Sequence, residues 1–529
     1  MAKFVTVEEA VSHIDDGMTM MLGGFSTYAC PEELLEGIAA RYEATRSPKD
    51  LFIISGITPG DKSESTEPLK GYNIGLNRLK EDGCISGAMI ALADARAIGY
   101  KINDNKIAGY LMPMGALLNL IRASAGGAPG LLTKVGLGTF CDPRQEGCAV
   151  NEMARQRGTV VELMEIGGEE FMFYKALKPD VAVIRGTYAD EDGNISVEQE
   201  GIIGAEMDMA AAVRNNGGIV IVQVKEIVKR GSINARNVRI HRHFVDYVVK
   251  ALNPDNHRQC YITDKYRPEL TGEIRTTSST GEPMKLDLRK VIARRGAMEL
   301  ERGALINLGV GIPAGVTTVA EEEGIAGAVL PSVEAGPMGG IVQTGLAFPG
   351  TANAEAIYCQ TDILNLYDGG LLDMTFLGSA EIDEKGNVNV SRFAGRSGGP
   401  GGFIDISQNS KKVVFVGMFT AGKPKPDIDI TGGGVKINKD GDEIKYVKEV
   451  QQITFSGEYA IKSNQEVIYI SERAVFRLTP EGLMLTEIAE GADLEKDVLG
   501  KMEFKPLVSR SLKKMDPRLF RDKLMGLEL

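Results

Sequence analysis

A chain of 529 residues with 43% hydrophobic and 25% charged residues is globular in composition and too long for one ordinary core, which predicts at least two domains. A formal net charge of −12 at pH 7 argues against nucleic acid and against an anionic membrane surface as partners, so any Lys or Arg meeting a phosphate must act locally. Six cysteines without close spacing read as free thiols of a reducing compartment, and four histidines are too few for a familiar metal cage.

In chain order, Met1-Ala2-Lys3-Phe4-Val5 has no apolar signal core, and no later apolar run approaches the roughly 20 residues of a membrane span. The expectation is a soluble, cytoplasmic protein. Met20-Met21-Leu22 reads as a buried strand breaking into Gly23-Gly24-Phe25, with a helix over Glu32 to Arg41. Leu51 to Ile57 is a second continuous apolar strand, and Asp180 to Val197 reads as a strand, a Gly-Asn turn and a short return strand, a hairpin. Asn215 to Val222 ends in another apolar strand. His241 and His243 flank Arg242 on what reads as a polar strand face, with no third ligand nearby.

The stretch 256–285 lacks periodicity and is rich in Gly, Ser and Thr between Thr271 and Pro283, so the domains are predicted to span 1–280 and 281–529. Arg289 to Glu301 then reads as an amphipathic helix. Ala304 to Leu308 is a strand breaking into Gly309-Val310-Gly311-Ile312-Pro313 before a helical stretch from Ala314, including Val316 to Glu323. Ala326 to Leu330 reads as a buried strand, which places Glu334 at a strand's C-terminal end, where open α/β sheets hold ligands. Farther on, 422–445 with Gly432-Gly433-Gly434 reads as a surface loop or hairpin, and Glu449 to Phe455 pairs as a strand with Glu466 to Ile470. Lys501 to Arg521 reads as a basic docking tail or oligomer contact.

Much of the chain repeats itself. Asp180 to Val197 aligns without a gap on Asp373 to Val390, Met20-Met21-Leu22-Gly23-Gly24-Phe25 on Ile306-Asn307-Leu308-Gly309-Val310-Gly311, and Asn215 to Val222 on Asn409 to Val416. Leu51 to Ile57 aligns on the strand ending at Ser332-Val333-Glu334, with Ile57 in the glutamate's place, so only the second half carries the carboxylate. Continuous Val- and Ile-rich strands alternating with helices predict an α/β fold of two related open domains, each a parallel sheet covered by helices. Gly309-Val310-Gly311 lacks the third glycine and the later acidic residue of a dinucleotide fingerprint, and Pro313 is atypical for one, which argues against a dehydrogenase. Cys30 and Cys141, with no histidine nearby in sequence, read as packing residues.

Glu334-Ala335-Gly336 fits a Glu-x-Gly motif, although Val333 separates Ser332 from Glu334. Together with Gly309 to Pro313 and Gly398-Gly399-Pro400-Gly401-Gly402-Phe403-Ile404-Asp405, the chain resembles the family I coenzyme A transferases along nearly its whole length, closest to the single-chain acetate or propionate branch. The resemblance implies the fold shared with ribose-5-phosphate isomerase, Glu334 as covalent nucleophile and Gly402 as an oxyanion amide. It implies that Gly309, Val310, Gly311, Ile312, Pro313, Gly401 and Phe403 face coenzyme A, and that Gly23, Gly24, Phe25, Met114, Gly138 and Thr139 shape the acyl pocket. Met114 stands in Pro113-Met114-Gly115, where the succinyl-CoA-specific branch has a donor glutamine, and cannot donate. No Arg beside these loops would clamp a second carboxylate, which favours acetate, propionate or butyrate over succinate. CoA and acyl-CoA enter as substrates, with no metal or redox cofactor, and a homo-oligomer, a tetramer, is implied.

A carboxylate nucleophile suits CoA exchange because its attack on a thioester gives a mixed anhydride, which keeps the acyl group activated while acids exchange. Each step passes through an oxyanion, for which amides in glycine-rich turns are accessible donors. Two alternatives stay open: an acyl-CoA hydrolase on the same scaffold, against which Glu rather than a shorter Asp argues, and a non-catalytic acyl-CoA sensor.

Overall fold

Two sheets organise the chain. The computed structural model describes residues 2–60, 74–261, 266–277 and 283–529; the expected boundary at 280/281 and part of the polar stretch around it lie outside them. The first sheet contains β1 (Lys3–Phe4), β2 (Thr19–Leu22), β3 (Leu51–Ile57), β4 (Ile85–Leu92), β5 (Ala108–Leu111), β6 (Val181–Arg185), β7 (Ile219–Val224) and β8 (Tyr247–Lys250), in the order β1-β8-β7-β6-β2-β3-β4-β5. All its pairings are parallel. Its middle strands are buried along their length, as a sheet covered by helices on both faces requires.

The second sheet is built from β9 (Leu305–Leu308), β10 (Leu330–Ser332), β11 (Pro337–Met338), β12 (Ala356–Ile357), β13 (Met374–Gly378), β14 (Lys412–Val416), β15 (Glu466–Ile470), β16 (Ala474–Thr479), β17 (Gly482–Ile488) and β18 (Leu507–Lys514). Their order is β12-β11-β10-β9-β13-β14-β15-β16-β17-β18, and the five strands β10-β9-β13-β14-β15 are parallel neighbours. That run repeats β3-β2-β6-β7-β8 of the first sheet. The internal repeat is therefore one of topology.

The pairing corrects the sequence alignment in two places by one residue. Met21 stands between Ile54 and Ala182 as Asn307 stands between Ser332 and Thr375, which puts Gly56, not Ile57, in the place of Glu334. Likewise Ile219, not Gly218, matches Lys412. Strands buried on both faces carry no apolar–polar alternation to mark their register, so an alignment of apolar runs can slip by one residue.

The expected hairpins are divided differently. β6 and β13 belong to the large sheets, and the hairpins that follow are Tyr188–Asp190 with Ile195–Ser196 and Glu381–Ile382 with Val388–Asn389. Both turns are held alike: Asp190 accepts from the backbone and side-chain amides of Asn194, and Asp383 from those of Asn387.

Other expectations change. Ala326–Ala328 is a single 3₁₀ turn, and the strand before Glu334 shortens to β10. The helix expected over Arg289 to Glu301 runs Leu288–Ala297 instead and is buried on all sides from Lys290 onward. Its Arg294 donates to the carbonyls of Leu519, Arg521 and Lys523, so the basic C-terminal tail docks on its own chain. Glu449 to Phe455 forms no strand, and β15 pairs with β14 and β16 instead. Residues 427–431 and 434–439 form a hairpin with Gly432-Gly433 at its tip. His241 precedes a 3₁₀ turn, Arg242–Phe244, and accepts the His243 N–H, so the pair does not share a strand face.

The helices that bear on the site are α1 (Glu32–Thr45), α2 (Met114–Ala125), α3 (Leu288–Ala297), α4 (Gly315–Glu322), α5 (Gln360–Asp368) and α6 (Phe403–Gln408). Among the described residues no helix is long and apolar enough to cross a membrane. No group of three His, Cys, Asp or Glu side chains among them could hold a metal ion. All six cysteines are buried and unbridged, and burial pushes the thiols of Cys30 and Cys141 well up.

Candidate active site

The C-terminal ends of strands from both sheets converge on one cavity of about 210 Å³. Ile57 ends β3, Leu92 ends β4, Leu308 ends β9, Leu377 lies near the end of β13, and all four line it. Glu334 faces the same space from the turn after β10, as the strand-end rule for open α/β sheets expects. Phe25, Phe348, Phe403 and Ile406 add apolar wall, while Ser26, Asp94 and Asn307 add polar groups.

The turn that presents Glu334 is tight. Val333 N–H donates to Pro337 O at 3.0 Å, and Gly336 N–H to Val333 O at 2.9 Å. Gly336 takes φ +122°, and a Cβ there would overlap the Tyr358 carbonyl, so only glycine fits. Behind the turn a buried hydrogen-bond chain fixes the strand end. Tyr367 Oη donates to Ser332 Oγ at 2.8 Å, Ser332 Oγ donates to Ile306 O at 3.0 Å, and Asn307 Nδ2 donates to Ser332 O at 3.2 Å. Burial pushes the Tyr367 phenol up, and the charge of Glu334 pushes it the same way, so the group remains a donor at neutral pH. Asn307 Oδ1 is buried and accepts no hydrogen bond among the described residues.

Opposite Glu334 lies the glycine-rich segment Gly398 to Gly402, which belongs to the second half but rests on the first. Ala93 N–H donates to Gly398 O, Gly401 N–H to Ala91 O and Met114 N–H to Gly401 O, each at 3.0 Å. α6 follows directly and is tied to the same half through Gln408, which accepts from Gly136 N–H and donates to Lys134 O, both at 2.7 Å. The result is close approach: a Cβ added to Gly402 would lie 3.2 Å from Glu334 Cγ and 3.3 Å from Met114 Cε. A side chain here would press on the side chains of Glu334 and Met114.

Of the residues singled out in sequence, Glu334, Gly402, Gly309, Val310, Gly401, Phe403 and Phe25 line this one cavity. Gly309 N–H is spent on Phe376 O at 2.8 Å, whereas Val310 is 62% exposed and a Cβ added to Gly311 would meet nothing within 4 Å. Ile312 and Pro313 begin the turn into α4 and lie outside the lining, as do Gly23 and Gly24, whose backbone packs on Ile184 and Pro59 and so seats Phe25 and Ser26. Met114 is fully buried behind Gly402. Gly138 and Thr139 belong elsewhere. They pack on Ser456, where Thr139 lines a separate small crevice with Ser407, Gln408 and Tyr459, because Phe140 N–H is bound to Ile453 O. Neither residue lines the cavity that Glu334 faces.

Sequence reading missed Asp94, Asn307, Leu92, Leu377 and Phe348. Leu92 ends and Asp94 follows the apolar run Ile85–Leu92, and Asn307 and Leu377 lie in strands already recognised, so the strand-end rule that found Glu334 would have found these four. Phe348 arrives by a long excursion between β11 and β12 and carries no local signal.

A family model described as Coenzyme A transferase matches residues 4–251. A caffeate CoA-transferase from Acetobacterium woodii is 41% identical over 536 residues, covering 100% of this chain and 99% of that protein. The acetate CoA-transferase YdiF of Escherichia coli (strain K12) is 39% identical, covering 99% of this chain and 96% of its own. A solved structure of the acyl-CoA transferase YdiF from Escherichia coli O157:H7, a thioester complex with CoA, superposes with a TM-score of 0.91 at 37% identity over 100% of this chain and 98% of that one.

Proposed function

The chain belongs to the coenzyme A transferase family and is an enzyme, and from that premise we propose that it exchanges CoA between a short-chain acyl-CoA and a free carboxylate through a glutamyl-CoA thioester on Glu334. The observation that carries the reading is the meeting of Glu334 and Gly402 across one cavity, a carboxylate facing a glycine-rich turn with no side chain between them.

In this reading Glu334 attacks the thioester carbonyl, and the tetrahedral oxyanion collapses to a mixed anhydride and CoA thiolate. The thiolate then attacks the Glu334 acyl carbon, releasing the first acid and leaving the glutamyl-CoA thioester; a second carboxylate runs the steps in reverse. The Gly402 amide serves the oxyanion, a contribution worth about 3 kcal/mol of barrier for one such donor. In this reading the N-terminal half supplies the acyl-facing wall through Phe25, Ile57 and Leu92, and the C-terminal half supplies Glu334 and, through Gly309 and Val310, the side that faces CoA. The small apolar wall supports short monocarboxylates such as acetate or propionate as acids. CoA is a substrate here, not a resident cofactor.

The test is peptide mass spectrometry after incubation with acetyl-CoA and no added acid. The mass of CoA is expected on the peptide containing Glu334 and absent from Glu334→Gln. Free CoA released rapidly without an adduct indicates hydrolysis, and neither adduct nor release ends the enzymatic mechanism on Glu334.

A further inference from the structure

Beneath the Gly401–Gly402 turn two carboxyl groups meet. Asp405 lies on α6, three residues beyond Gly402, and is fully buried. Its carboxyl crosses into the N-terminal half near the first-turn amides of α2 at Met114, Gly115 and Ala116, and among the described residues neither of its oxygens has a hydrogen-bond partner. Asp368, the last residue of α5, reaches the same point. A Cβ at Gly115 would fall 2.5 Å from Asp405 Oδ1 and 3.0 Å from Asp368 Oδ2, so both carboxyls occupy the space that a side chain at position 115 would need. α2 has no side-chain cap of its own, since Pro113 precedes it. Its first turn is instead met from the other half twice: Gly401 O accepts the Met114 N–H, and the Asp405 carboxyl packs at Gly115 without a hydrogen bond.

We propose that Asp405, with Asp368 beside it, is a positioning residue for CoA transfer: it clamps the first turn of α2 to the segment carrying Gly402 and thereby sets the distance from the Gly402 amide to the Glu334 carboxylate. This rests on the reading of Glu334 and Gly402 given above. The clamp has a charge state. Burial pushes Asp405 up to about 7 against the pull of the α2 amides, and Asp368 well above the carboxylate range through burial and then the charge of Asp405. Two carboxyls this close do not both ionise near neutrality, and their protons come off the pair in steps. The other titratable groups facing Asp405 are Cys141 and Tyr174, both buried, pushed up and neutral. The anionic form complements the positive end of α2, and the protonated form holds it less firmly.

The experiment is kcat and KM for acetyl-CoA exchange between pH 5.5 and 8.5, with Glu334–CoA adduct formation followed in the same samples. Wild-type kcat is expected to rise through about pH 7. Asp405→Asn keeps KM within about threefold, lowers kcat at pH 8 by roughly tenfold or more, since small misplacements of a reacting group cost this much, and loses the rise. Asp368→Asn acts in the opposite sense: an amide donor replaces the competing acid, and the rise moves to lower pH. Asp405→Asn with wild-type kcat and an unchanged rise overturns the proposal. Should that variant fail to fold, an unmoved rise in Asp368→Asn overturns it equally. An adduct on wild-type Glu334 alongside those negative results leaves the functional reading intact, whereas its absence from the wild type sinks that reading and the clamp with it.

Discussion

The loop after β2 and the loop after β9 occupy the same place in two copies of one plan, and they have opposite fates. In the first half Gly23 and Gly24 pack on Ile184 and Pro59, and Phe25 turns inward with 2% exposure. In the second half Gly309 keeps the equivalent backbone bond, to Phe376 O as Gly23 does to Val183 O, but Val310 is 62% exposed and Gly311 borders open space. One loop is closed by its own core and the other stands open for a ligand. The strand ends beside them divide likewise, Gly56 on one side and Glu334 on the other. A duplicated scaffold thus makes one site rather than two by closing one copy and charging the other.

The sharpest way to break this comparison is to remove the charge. Glu334→Gln is expected to lower CoA exchange by more than roughly 1000-fold while leaving the denaturant midpoint near that of the wild type, because the half-buried side chain contributes chemistry more than packing. Gly402→Ala places a methyl 3.2 Å from Glu334 Cγ and is expected to cost about 100-fold in kcat, with a smaller effect on KM, in steady-state kinetics.

The two loops are separated directly by a pair of truncations. Phe25→Ala is expected to destabilise the protein by about 3 kcal/mol in urea melts, as for a buried aromatic, whereas Val310→Ala stays within about 0.5 kcal/mol and shows itself only as a raised KM for acyl-CoA. Equal stability losses from both would refute the division into a closed and an open copy. Tyr367→Phe deletes the donor to Ser332 Oγ behind Glu334, with an expected cost of about 1 kcal/mol in stability and a few-fold in kcat.

The prediction that leaves exchange untouched contrasts Asp405 with a buried carboxyl of the first half. Glu206, at the start of the helix Glu206–Asn215, is pushed up to about 7 by burial, with the Arg239 charge opposing. An unfolded Glu ionises near its ordinary value of 4.5, so the stability this residue allows is complete below that pH and declines as pH rises to about 7. Glu206→Gln is expected to flatten that decline, giving a variant more stable than the wild type at pH 8 by on the order of 1–2 kcal/mol, with exchange kinetics unchanged. Thermal melts at pH 4.5 and 8 measure it.

Much of this architecture is readable from residues alone because it follows from local chemistry. Continuous apolar strands breaking into glycine loops mark the strand ends of both halves, and the asymmetry of the repeat singles out Glu334. Register is not readable, since strands such as Ile53-Ile54 and Val413-Val414-Phe415 are apolar on both faces and align equally well one residue apart. Nor is the fate of Gly138 and Thr139, whose loop resembles one that faces the site but packs on Ser456 because of a backbone bond to Ile453, over 300 residues away in sequence.

The sequence by itself determined the α/β class, the duplication, the family and the carboxylate with its glycine-rich partner segments, all of them properties of short-range pattern. The tertiary structure alone decided that Gly402 meets Glu334, that Asp94, Asn307 and Phe348 share their cavity, and that Asp405 of one half packs against the first turn of α2 of the other. Those contacts join residues far apart in the chain, and they depend on how two sheets dock, a property that no window of sequence contains.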